Sequence, residues 1–246
     1  MNTFLWYEML LQSTDLSRIL IIFIGQLILA SIFLVIGIKL LRRNRPRPII
    51  TLSFLYILTT IGFIFNILHV LIAAIQPENV LLLKVIYFFS FYPLLFSAIF
   101  ILTFIISILK LGDVFTVKKQ LIITLIYGFV TFLIFFIPEG ITFTEQSRPI
   151  YSWSFFTAIY TSFTIFITIP TIWYSRLLIR TFQDRILKRK LTTFLIGVFG
   201  MYLVVYGATL YLTWQNPLFT TIWSVVTFLL MIPSAILIYY GIGREL

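Results

Sequence analysis

Residues 80–109 read VLLLKVIYFFSFYPLLFSAIFILTFIISIL. Lys84 is the only charge in the run, and it lies near one end. As an α-helix the stretch is about 45 Å long, which exceeds the roughly 30 Å hydrocarbon core of a bilayer. Every face of such a helix is apolar, so it predicts a membrane span, tilted or extended beyond the lipid. Outward from it, six further runs have the same character: 19–41, 49–75, 121–137, 153–174, 191–212 and 218–242. The run 121–137 is the shortest. None of them carries Asp, Glu or Arg in its central part.

These runs predict an all-α, polytopic membrane protein: one seven-transmembrane-helix domain over 1–246, which includes a short extracellular interfacial segment, 1–15. The composition agrees. The chain is 61% hydrophobic and 11% charged, against about 45–50% and about 25% in soluble proteins. Ser13, Thr14 and Asp15 offer an N-cap to the first span, and 42–48 (RRNRPRP) separates it from the second. Turns are expected at 76–79 (QPEN) and 215–217 (QNP), and the longest connection runs from 138 to 151. Glu8 and Asp15 precede the first basic residue, Arg18, so the first span reads as permanent rather than as a cleaved leader.

Basic residues set the expected orientation. Lys39, Arg42, Arg43, Arg45, Arg47, Lys110, Lys118, Lys119, Arg176, Arg180, Arg185, Lys188, Arg189, Lys190 and Arg244 fall on one side; Arg18, Lys84 and Arg148 fall on the other. The first side is therefore expected in the cytoplasm, with the N-terminus outside, in a multi-pass protein of the cell membrane. Trp6, Trp153, Trp214 and Trp223 lie near outer ends of spans and Trp173 near an inner end, where indole rings favour the interface. The net charge of +10 then reflects orientation and contact with anionic headgroups rather than nucleic acid.

Several chemistries find no residues. There is no cysteine, all eight acids lie in loops or at span ends, and His69 is the one histidine. Ion-coupled pumping needs ionisable groups at membrane depth, paired haem ligation needs a second histidine, and a catalytic triad needs a buried carboxylate. A retinal Schiff base needs a lysine that 218–242 lacks. The expectation is a protein without catalysis and without cofactor or metal.

Asn66 and His69 lie one turn apart in the outer half of the second span and share a face. Tyr92, Tyr160, Tyr206 and Trp223 sit at similar depth on other spans. Convergence of these faces would build an outward-opening polar–aromatic pocket for a small-molecule or lipid ligand; the alternative is hydrogen bonding between helices, with Trp223 as a belt residue. Pro93, Pro170 and Pro233 mark kinks that serve as hinges or are simply tolerated. Gly197, Gly200, Gly207 and Ala208 predict close approach by a neighbouring helix. The expected cytoplasmic basic face comprises Arg42, Arg43, Arg45, Arg47, Arg180, Arg185, Lys188, Arg189 and Lys190. It reads as headgroup contact or as a docking surface for a signalling protein.

In layout the chain resembles the seven-transmembrane sensor region at the N-terminus of many prokaryotic histidine kinases. The local likeness lies in KVIYFFSFYPLLFSAIFILTFIISILKLG (84–112), where a Tyr-aromatic run precedes Pro93, and in IPSAILIYYGIG around Pro233. The resemblance implies helices that sense a ligand or membrane state. The kinase portions of that family are missing from this sequence, so the expectation is a non-catalytic receptor that signals to a separate cytoplasmic partner. The alternatives are a facilitative transporter or channel for an uncharged solute, and a structural subunit of a membrane complex.

Overall fold

The computed structural model describes residues 20–42, 47–109, 116–144 and 147–243. Seven helices are long and apolar enough to cross a membrane: α1 (Phe23–Leu41), α2 (Arg47–Ile75), α3 (Val80–Ile108), α4 (Val117–Ile134), α5 (Trp153–Thr181), α6 (Arg185–Thr213) and α7 (Pro217–Gly241). This is the architecture of a multi-pass membrane protein. The cap proposed at Ser13–Asp15, the interfacial segment 1–15, Arg43, Arg45, Lys110 and Arg244 lie outside the described residues.

Neighbouring helices run antiparallel, because contacts that climb one descend the next. Between α1 and α2, Phe33 packs on Phe63 while Ser53 donates to the Gly37 carbonyl at 2.9 Å. Between α2 and α3, Phe54 stacks on Phe100 and Phe65 meets Phe89. Between α6 and α7, Gly207 lies under Trp223 and Gly197 under Ser234. α3 is central: 67% of its apolar window is buried, against 22% in α4 and 24% in α7. The outer helices turn Leu125, Phe129, Ile165, Ile196, Ile222 and Leu229 outward, an apolar girdle of the kind that lipid solvates.

The caps explain where helices begin. Asn79, Ser152, Asp184 and Asn216 each accept a backbone N–H from the first turn of α3, α5, α6 and α7. Asp184 starts α6 six residues before the apolar run does, and α5 continues to Thr181, so the 176–190 connection is mostly helix with only 182–184 between. α4 covers 117–134 rather than 121–137, because 135–139 turn away from the helix.

Among the described residues, strands occur only in the long connection. Ile141–Phe143 (β1) pairs antiparallel with Pro149–Tyr151 (β2), Ile141 opposite Tyr151. This hairpin defines one end of the bundle. Lys39, Arg42, Arg47, Lys118, Lys119, Arg176, Arg180, Arg185 and Arg189 are exposed at the other.

Candidate functional site

Two groups of helices leave a space between them. α1, α2 and α3 pack as one layer, and α6 packs on α7 through glycines. Added Cβ atoms at Gly197 would stand 2.6 Å from the Ser234 carbonyl and at Gly241 2.6 Å from the Phe194 amide nitrogen. Between the layers lies a cavity of about 400 Å³, within the usual size of small-molecule sites. It runs from the hairpin end into the middle of the bundle, where Leu55, Leu94, Ala98, Ile101, Met201 and Met231 line it. Beyond this apolar end, the Tyr56 hydroxyl donates to the Ala235 carbonyl at 3.1 Å and ties α2 to α7.

The middle of the wall is weakly polar. Thr59 and Ser97 both line it. Their hydroxyls donate to the Leu55 and Leu94 carbonyls of their own helices and stand 3.2 Å apart. Near the hairpin end the Asn66 amide donates to Gln26 Oε1 at 2.8 Å, joining α2 to α1.

The hairpin stands at one end of the cavity. Phe143 stacks on His69 with centroids 5.5 Å apart, and His69 in turn meets Tyr87 at 5.2 Å. The hydroxyls of Tyr87 and Tyr151 are hydrogen-bonded. Burial first, and then the Tyr87 phenol beside it, push the Tyr151 hydroxyl well above the ordinary phenol value of 10.0, so it stays neutral at physiological pH. The turn between the strands is held by Ser147 N–H donating to the Thr144 carbonyl at 2.8 Å, with Ser147 in the left-handed region (φ 54). The Arg148 N–H donates to Thr144 Oγ1 at 3.1 Å. This turn delivers Arg148 and Pro149 to the cavity wall.

The Arg148 guanidinium lies over the Tyr211 ring, 4.8 Å from its centroid. One turn along α6 from Tyr211, Gly207 accommodates the Trp223 indole, whose Cζ2, Cε2 and Cη2 fill the space a Cβ would need. Arg148 Nη2 and Trp223 Nε1 are buried and meet no acceptor. Both side chains are donors only. No Asp or Glu is among the described residues lining the cavity.

The structure brings Asn66, His69 and Trp223 together on this wall. It places the three other tyrosines elsewhere, because each points from its helix at a different angle. Tyr92 shares the α3 face of Phe88 and Phe96, stacks on both, and donates to the Gly128 carbonyl of α4 at 3.3 Å. The Tyr206 hydroxyl lies 2.7 Å from both Thr164 and Thr168 of α5, and its ring packs on Tyr160. Depth alone does not choose a face. Other residues of the wall, among them Gln26, Tyr87, Arg148 and Tyr211, are not singled out in the sequence. Gln26, a polar residue in an apolar span, was the one with a signal.

Of the prolines, Pro93 is buried in a continuous α3 and Pro233 is exposed on a continuous α7. Pro170 follows a π-helical stretch, Thr164–Thr168, which widens the backbone where the proline ring would press on the carbonyl four residues back. Arg42, Arg47, Arg180, Arg185 and Arg189 are exposed and Lys188 and Lys190 half-buried, all at the end opposite the hairpin. A second recess of about 290 Å³ lies between α3 and α4 beside the hairpin, with Lys84 and Glu139 at its rim. No family model matches the chain, and no curated protein and no solved structure matches it.

Proposed function

We propose that this is a non-catalytic seven-helix receptor of the cell membrane, with its N-terminus and hairpin outside and its basic end in the cytoplasm. The cavity under the hairpin takes a small or lipidic ligand, and a cytoplasmic signalling protein reads the basic end. One observation carries the reading: the cavity separates the α1–α3 layer from the α6–α7 pair, while the Tyr56–Ala235 bond ties the two together beyond it. Filling or emptying the space changes the angle between the two groups about that tie. Such a shift needs differential affinity of the ligand for the two arrangements. The excess of basic residues at one end supports the orientation, and the resemblance read from the sequence to histidine-kinase sensor regions supports the sensing role.

The test uses the absence of cysteine. Lys39→Cys on α1 and Lys188→Cys on α6 together carry nitroxide labels in the chain reconstituted into liposomes. Pulsed electron resonance then measures the distance between them before and after addition of a lipid extract from producing cells. A shifted distance is the expected result. An unchanged distance, with uncharged solutes crossing the proteoliposomes, would replace this reading with facilitated transport.

A further inference from the structure

We infer that the cavity is a site for a single-chain amphiphile with an anionic head, the head at Arg148 and Trp223 and the chain directed toward Ile101 and Met231. This deepens the reading above and rests on the cavity being its ligand site.

The polarity of the wall is graded along the cavity. At the hairpin end stand Arg148 Nη2 and the Trp223 indole N–H, both buried atoms without an acceptor. A buried donor left unmet is costly, and neither group can accept a proton donor in exchange. The missing partner is therefore an acceptor. Arg148 presents a positive charge with no carboxylate among the described lining residues, so an anionic acceptor gains most. Carboxylate and phosphate both fit the planar fork of a guanidinium. The neutral Tyr151 hydroxyl adds no opposing charge at this end.

Away from that end the wall turns apolar. Its deep residues (Leu55, Leu94, Ala98, Ile101, Met201 and Met231) offer no ionisable group. Between Tyr87 and Ile101 on α3 the lining covers about 21 Å of helix, comparable to the roughly 15 Å of one leaflet of hydrocarbon. An acyl chain matches that length. The volume of about 400 Å³ is near the small end of ligand pockets and suits one chain rather than two. The two methionines give the deep end an adaptable surface.

The test is a binding titration on the full chain in neutral detergent, with palmitate against hexadecanol and lysophosphatidate against monoacylglycerol. Expected is tighter binding of the acid than the alcohol by about tenfold or more. Arg148→Gln should abolish the preference, bringing the acids to the level of their neutral counterparts. Preference for only one of the two heads would support the site and name the head group. Equal binding of acid and alcohol by the unaltered chain would overturn the proposal, as would a preference that survives Arg148→Gln. Ala98→Phe, with its melting temperature checked, should weaken all four ligands; undiminished binding in a folded variant would also overturn it. Tight palmitate binding with an unmoved 39–188 distance would keep this site and sink the receptor reading. A distance that moves with cell extract while palmitate is inert would do the reverse.

Discussion

Gly207 and Trp223 compete for one volume, and the indole occupies it because glycine has no side chain. Gly207→Ala should destabilise the fold by about 1–3 kcal/mol, the usual effect of overpacking, seen as a lower melting temperature in detergent. The obstructing atoms belong to a side chain, so adding Trp223→Leu should restore most of the loss, a coupling that a double-mutant cycle measures. Gly197 offers the control. Its nearest neighbours are the Ser234 carbonyl and the Ile238 amide nitrogen, so Gly197→Ala should be harmful with no side-chain change on α7 able to rescue it. The spacing of Gly197, Gly200 and Gly207 is enough to announce a close approach. Which helix approaches was not legible in the sequence, since small residues mark a face without naming its partner.

At the scale of elements, the hairpin depends on a neutral phenol. The buried Tyr151 hydroxyl holds its proton well above the ordinary value of 10.0, whereas in the unfolded chain it releases the proton near that value. The stability this contributes is complete below about pH 10 and declines as pH rises toward the folded value. Melting temperatures taken from about pH 8 to about pH 12 should fall above about pH 10, and Tyr151→Phe should flatten that fall. A variant as alkali-sensitive as the parent would remove Tyr151 from the cause.

The helices themselves were legible because a span is recognised by length and composition, both plain in 80–109. Their ends were less so. Asp184 starts α6 early because solvent beyond the lipid accepts a helix rich in Lys and Arg as readily as a loop. The hairpin was invisible because three-residue strands carry no periodicity, and Arg148 therefore read as a loop charge. Facing was the other gap: α3 is apolar all round, so nothing in its pattern separates Tyr92, which faces α4, from the cavity-lining Tyr87 and Ser90.

For the molecule as a whole, charge asymmetry is the argument for orientation, and it is open to direct test. Thr142→Cys at the exposed hairpin should react with a membrane-impermeant maleimide on intact cells. Thr181→Cys, exposed at the opposite end, should react only after the membrane is opened. The reverse pattern would invert the topology and place the cavity mouth in the cytoplasm. The π-helical stretch at Thr164–Thr168 bears on ancestry. A π turn accommodates one residue more than the α turn it replaces, so it has the form of a single-residue insertion absorbed locally while the flanking helix kept its register. A protein of common descent without the bulge should align with this chain through all seven helices, with a one-residue gap falling between 164 and 168.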